Sequence, residues 1–237
     1  LLGLGTSGRA LVEFWHGTKF DRPFQRTKEY VEVIRRVASG DKVEYDGKVL
    51  KLSRFRLFTK PASVPKIFLG AIGERNLKLA GSISDGAILA TYPKSKLEQA
   101  SRLVSENGPK KVFAYYPFRI VSSEDEARVA KSEIAENIAF YVASMGSYYA
   151  KNLVRLGFEQ SVNRIVEAHR VGGHAGAAKA VDDSLLGDLS LIGSLDQVIQ
   201  QLSEIPEGVV PVLGLKVASE EQVRTGIESL KAFAGSS

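Results

Sequence analysis

The chain has 237 residues, 44% hydrophobic and 25% charged, with 32 Lys+Arg against 27 Asp+Glu for a net charge of +5. That is enough apolar material for a sizeable core, so a disordered chain and a disulfide-stapled miniature are both excluded. The mild positive excess lacks a clustered basic stripe, which argues against a nucleic-acid partner. The absence of cysteine removes thiol nucleophiles, redox dithiols and thiolate metal sites.

No run reaches the roughly 18 apolar residues of a membrane span, and residues 1–14 lack the basic start of a signal peptide, so a cytoplasmic protein without membrane contact is expected. Met145 is the only methionine and the chain opens at Leu1, so the expectation is a processed or truncated piece.

Taken in order, Leu1–Thr6 is a short apolar run entering glycines, the pattern of a buried parallel strand. Residues 8–26 carry Trp15, His16, Gly17 and Pro23 and read as a long interrupted loop, long enough to suspect a role in function. Tyr30, Val33, Ile34 and Val37 fall at i, i+3, i+4, i+7 before Gly40, predicting an amphipathic helix. Val43–Tyr45 and Lys48–Leu50 flank Asp46-Gly47, predicting a hairpin with a type I′ turn. The hairpin is expected to be an insertion over residues 41–62. Strands follow at 66–70, 86–91, 112–121 and 209–215, with helices around Leu77 and Ala80, over 95–104, and from the capping sequence Ser123–Glu126 to Ser144. Further helices are predicted over 148–156, 159–170 and 194–204. The run Gly172–Ala180 reads as a mobile loop, and Ser219–Gln222 as the cap of a last helix.

Five parallel-type strands with helical crossovers result. An open doubly wound sheet can stop at five, whereas a (β/α)8 barrel needs eight and typically about 250 residues. The missing initiator favours the barrel, with three absent βα units amounting to roughly 90 residues. The expectation is therefore a single partial α/β barrel domain over 1–237.

Gly3-Leu4-Gly5-Thr6-Ser7-Gly8 has dinucleotide-loop spacing directly after a strand. A Rossmann unit also needs an uninterrupted helix and a second strand ending in an acid about 20 positions on. Gly17 and Pro23 interrupt the first and Asp21 ends no strand, so the nicotinamide reading fails. An anion site at Ser7, Gly8 and Arg9 and a plain tight turn both remain open. Leu69–Asn76 is a second small-residue exit running into a helix, where Gly73 leaves free N–H groups and Arg75 and Lys78 add positive charge. Close helix-to-strand packing accounts for the same residues.

Glu13, Trp15 and His16 offer an acid, a flat wall and a proton carrier near neutral pH; a structural His and a loop-anchoring Trp are the alternative. His169 and His174 are five apart with no third ligand nearby, so no metal site is expected and both read as surface residues. Ser7 lacks the G-x-S-x-G context of a hydrolase nucleophile. Tyr115, Tyr116 and Phe118 read as core, with ring stacking open to whichever faces a ligand.

The order Gly3–Gly8, Val12-Glu13-Phe14-Trp15-His16-Gly17, Arg26–Val31, Val43–Gly47, Leu79-Ala80-Gly81 and Ser84-Asp85-Gly86 resembles the coenzyme-F420-dependent branch of the bacterial-luciferase-like superfamily, the group of methylenetetrahydromethanopterin reductase. The resemblance is strong over residues 1–92 and diffuse afterwards, where Ile192-Gly193-Ser194 also fits. It implies a luciferase-type TIM barrel with strands four to eight present, a homodimer, a small-molecule substrate and a deazaflavin at the carboxyl ends of the strands. It implies cofactor contacts at Thr6, Ser7 and Gly8 and at Ile72, Gly73, Arg75 and Asn76. His16 and Glu13 are the expected catalytic residues and Trp15 the expected substrate contact.

Two departures accompany the resemblance. Some relatives carry a Glu acid after the first glycines, where this chain has Gly8 and Arg9. The cis peptide and acidic residue that press on the cofactor ring belong to strands that precede this sequence. An FMN-dependent monooxygenase and a non-catalytic flavin-binding protein are the alternative functions.

Overall fold

In a computed structural model, residues 1–59 and 61–215 are described, with single positions at 224, 228 and 231. The chain divides into two compact units, Leu1–Leu89 with Ala100–Val112, and Ala90–Gln99 with Phe113–Ser237. The predicted cap at Ser219–Gln222 lies outside the described residues.

The first unit is built on three parallel strands, β1 (Leu2–Leu4), β4 (Ile67–Gly70) and β5 (Gly86–Ala90). Leu4 pairs with Leu69, and Gly70 with Ile88, so all three strands run the same way and exit at one edge. Ile67, Phe68 and Leu69 are all buried, which explains why this segment reads as a continuous apolar run rather than an alternating one. Helices α1 (Pro23–Ala38) and α2 (Glu74–Ile83) follow β1 and β4.

The Ser84-Asp85-Gly86 motif is structural. Ser84 Oγ donates to the carbonyl of Ala80 at 2.7 Å, closing α2. Asp85 Oδ2 accepts from the Ile67 amide at 2.8 Å and from Arg35 at 3.2 Å, fixing the entry of β4.

Three expectations in this unit are corrected. Residues 8–26 are not one irregular loop: a π-helical turn spans Leu11–Trp15, and α1 begins at Pro23. Proline suits this first helical turn because its missing N–H has no partner there anyway. The buried face of α1 carries Glu29, Val31, Val33 and Ala38, whereas Tyr30 is exposed. The hairpin is present and antiparallel as β2 (Val43–Asp46) and β3 (Lys51–Phe55), but Asp46 pairs with Lys51, and the connection is Gly47–Leu50, closed by Gly47 N–H to Leu50 O at 2.9 Å. Neither Asp46 nor Gly47 has positive φ, so the turn is not type I′.

The second unit holds most of β6 (Lys111–Ile120), with β7 (Leu191–Gly193) parallel to it and β8 (Val209–Leu215) also paired to it. Helix α3 (Leu97–Val104) is divided between the units, and the helices of the second are α4 (Glu124–Ala143), α5 (Tyr148–Arg155), α6 (Glu159–Lys179), α7 (Asp183–Asp188) and α8 (Leu195–Ser203). Ile134, Ile138, Val142, Leu153, Ile165 and Leu185 form their shared core. Each such fully buried side chain contributes about 1.5–3 kcal/mol.

Ser194 and Gln197 form the expected reciprocal capping box. At α4 the box is displaced by one residue: Ser123 Oγ accepts from the Glu126 amide, while Glu126 Oε2 accepts from the amide of Ser122. Gly172–Ala180 is not a loop; α6 runs through it to Lys179 with a kink at Gly173. Helix α7 and the three-residue β7 have no counterpart in the predicted elements. Among the described residues no helix is long and apolar enough to cross a membrane.

Candidate functional site

Because β1, β4 and β5 are parallel, their carboxyl ends share one edge, where ligands bind in folds of this kind. Ser7 turns the chain there with φ of +57°. The segment then winds into the π-helical turn, with Val12 N–H bonded to Gly8 O at 3.1 Å and His16 N–H to Leu11 O at 3.3 Å. Glu13 closes the following loop: its Oε1 accepts from Arg9 Nη1 at 2.8 Å and from the Phe20 amide at 3.1 Å. The Arg9 guanidinium also lies over the Phe20 ring, 5.5 Å from its centroid.

The result is a cavity of about 270 Å³. It is lined by Leu4, Gly5 and Thr6 from the first strand exit, by His16 and Thr18–Asp21 from the following segment, and by Pro23, Arg26, Thr27 and Tyr30 from α1. Asp21 Oδ1 accepts from Arg26 Nη2 at 3.0 Å, so this cation enters the cavity already paired. Of the expected residues, Thr6 and His16 are brought together here. Ser7, Gly8 and Glu13 flank the cavity without lining it, and Trp15 is 79% exposed outside it.

Ile72, Gly73, Arg75 and Asn76 meet at the start of α2. Gly73 is its extended N-cap and brings no side chain to it. Asn76 and Leu77 amides both reach the Gly73 carbonyl at 2.9 Å. The amides of Glu74 and Arg75, at the first two helical positions, have no partner inside the helix. A Cβ built on Gly5, Gly8 or Gly73 would meet nothing within 4 Å, so open space stands before all three. The two strand exits abut, since a Cβ on Gly70 would lie 3.6 Å from the Leu4 carbonyl.

The expected positive charge is partly spent. Lys78 bridges Glu106 at 3.1 Å and Glu74 at 3.2 Å, and those hydrogen bonds, Glu106 first, hold its ammonium above the ordinary lysine range. Arg75 lies 4.2 Å over the Phe24 ring of α1.

A second amide cluster in the same unit is already filled. Glu29, 2% exposed, accepts from the amides of Lys48 at 2.8 Å, Val49 at 2.9 Å and Leu50 at 2.7 Å, and from Gln25 at 2.8 Å. Burial by itself would raise this carboxyl, but the Gln25 bond and then the three amides outweigh it and hold the group at about 2. On β6, Tyr116 is buried and donates to the Tyr92 carbonyl at 3.1 Å; burial pushes its phenol up, leaving it neutral. Phe118 is buried and Tyr115 is 43% exposed.

Lys19, Asp21, Arg26, Thr27 and Tyr30 line the cavity without having been singled out for it from the sequence. The spacing Pro23, Arg26/Thr27, Tyr30 is a helical i, i+3/4, i+7 face and could have marked Arg26, Thr27 and Tyr30.

A family model described as luciferase-like monooxygenase matches residues 1–210. A Mycobacterium tuberculosis protein named as a coenzyme F420-dependent oxidoreductase is 28% identical over 94% of this chain and 72% of its own length. The 5,10-methylenetetrahydromethanopterin reductase of Archaeoglobus fulgidus is 31% identical over 90% of this chain and 66% of its own length. The solved coenzyme F420-dependent tetrahydromethanopterin reductase of Methanopyrus kandleri superposes with a TM-score of 0.74 at 24% identity, covering 97% of this chain and 72% of that one. These likenesses identify an α/β fold of the luciferase-like TIM-barrel type.

Proposed function

This chain belongs to the luciferase-like monooxygenase family, and we propose that within it the protein is an oxidoreductase moving a hydride between coenzyme F420 and a small organic substrate. The observation that carries this reading is the uncapped start of α2 beside two glycine-rich strand exits with open space before Gly5, Gly8 and Gly73. Such a cradle suits an anionic, phosphate-bearing group, because the helix end presents free N–H donors and roughly half a positive charge. The name of the M. tuberculosis relative supports the choice of cofactor.

The coenzyme, when bound, supplies the hydride donor or acceptor. Amides at Gly73, Glu74 and Arg75 hold its phosphate, with Ile72 and Asn76 beside them. Thr6, Ser7 and Gly8 line its approach along the first strand exit. Glu13 keeps the loop closed over the cavity by holding Arg9 and the Phe20 amide. A substrate reduced by one hydride also takes up one proton, and His16, in the cavity lining, holds that proton on an imidazole nitrogen. Trp15 offers its face to a substrate ring at the mouth. The protein acts as a homodimer.

Titrating the chain with coenzyme F420 and, separately, FMN while following cofactor fluorescence tests the reading. Selective F420 binding is expected. Selective FMN binding moves the protein to flavin-dependent monooxygenation, and binding of neither overturns the proposed cradle.

A further inference from the structure

In the helical part of the second unit, two imidazoles converge on one hydroxyl. His169 Nε2 lies 3.5 Å from Ser144 Oγ, and His174 Nδ1 lies 3.4 Å from the same atom. The ring centroids are 5.0 Å apart with planes at 71°. Residues five apart on a regular helix point about 140° away from each other, so an unbroken α6 would keep these rings from meeting. They meet because Gly173, between them, sits at φ +61° and ψ −153°, a backbone conformation essentially confined to glycine. The kink returns His174 toward His169, and Phe140 flanks the pair with its ring centroid 6.4 Å from that of His174.

We propose that His169 Nε2 and His174 Nδ1 form a two-imidazole chelate for a divalent transition-metal ion such as Cu²⁺, Ni²⁺ or Zn²⁺, with Ser144 Oγ as an adjacent oxygen donor and water in the remaining positions. Imidazole nitrogen suits these borderline ions, and their bonds to it are about 2.0–2.1 Å long. Both rings already aim a nitrogen at a common point, so modest side-chain rotation closes the gap; His174 is exposed and His169 half-buried. Binding requires one tautomer of each ring, with the proton of His169 on Nδ1 and that of His174 on Nε2, so that the converging nitrogens offer lone pairs. The nearby carboxylate of Glu167 is held at both oxygens by Arg170, at 2.7 and 3.1 Å, and does not compete for the ion. Among the described residues no cluster of three or more His, Asp or Glu is placed to hold a metal. The chelate is therefore open and exchangeable rather than a closed structural site.

The test is Cu²⁺ titration of the full chain, followed by electron paramagnetic resonance. One equivalent is expected to bind with hyperfine couplings from two imidazole nitrogens. His169→Asn and His174→Asn should each weaken binding by about tenfold or more and remove one coupling. His16→Asn should leave the signal unchanged. Gly173→Ala should weaken binding with both imidazoles intact; if that variant fails to fold, the two Asn variants, checked by circular dichroism, decide. Binding that survives the His169→Asn/His174→Asn double variant, or that vanishes in His16→Asn, overturns the proposal.

Discussion

The Gly47–Leu50 turn and the start of α2 pose the same electrostatic problem, a group of backbone amides facing one point, and solve it differently. At the turn, Glu29 reaches in from α1 and takes three amides, so the anion is part of the protein. At α2, Gly73 offers no side chain and the space in front of it is open. The first arrangement fixes the hairpin to its helix. The second leaves its donors without a side-chain partner, so the same kind of amide cluster is a brace in one place and an open set of donors in another.

The sharpest way to break the comparison is to empty the filled cluster. Glu29→Gln removes the charge that three amides surround, and should lower the thermal midpoint and strip exchange protection from Lys48, Val49 and Leu50 by more than about tenfold. Gly47→Ala tests the same brace sterically: a Cβ there would overlap the Glu29 carboxylate and the Tyr45 ring, for a cost of about 1–3 kcal/mol in chemical denaturation.

Acid should do gradually what Glu29→Gln does at once. The folded Glu29 carboxyl sits at about 2, below its ordinary 4.5, so its contribution is complete above 4.5 and is lost as pH falls toward 2. Denaturation across that window should show a loss of stability that is smaller in Glu29→Gln. An equal loss in both proteins would assign the pH dependence to other carboxylates.

The complementary experiment fills the open cluster. Gly73→Asp supplies an internal N-cap carboxylate, which should leave α2 as stable or a few tenths of a kcal/mol more so while weakening F420 binding about tenfold by competition and repulsion. Unchanged F420 affinity would remove the α2 amides from the cofactor site. His16→Ala should reduce turnover more than coenzyme affinity in steady-state kinetics; an unaltered rate would exclude His16 as the proton carrier. The smallest effect belongs to Lys78→Ala. Its ammonium is engaged by Glu74 and Glu106, so F420 affinity should change by less than about twofold.

Much of the strand-and-helix order is legible in the chain itself. The run Ile67–Leu69 declares a strand buried on both faces, and Ser194 with Gln197 marks the start of α8, because these signals are local in sequence. The uncapped start of α2 is legible for the same reason: Gly73 and the helix it opens are neighbours in the chain. Asp46-Gly47 announced the hairpin but not its turn type, which was set by a carboxylate about twenty residues upstream.

What the sequence determined by itself, then, was the alternation of elements and the exits where glycines leave backbone donors exposed, since both follow from periodicity and from the missing Cβ. Only the tertiary structure decided which charges remain available. Lys78 lies between two acids, one of them distant in sequence, and Arg26 is held by Asp21 inside the cavity. It also decided that Glu29 is buried in a ring of amides and that Gly173 folds His174 back onto His169. Such pairings depend on distances through space between residues remote along the chain, or on a single backbone kink, and neither leaves a periodic mark in the sequence.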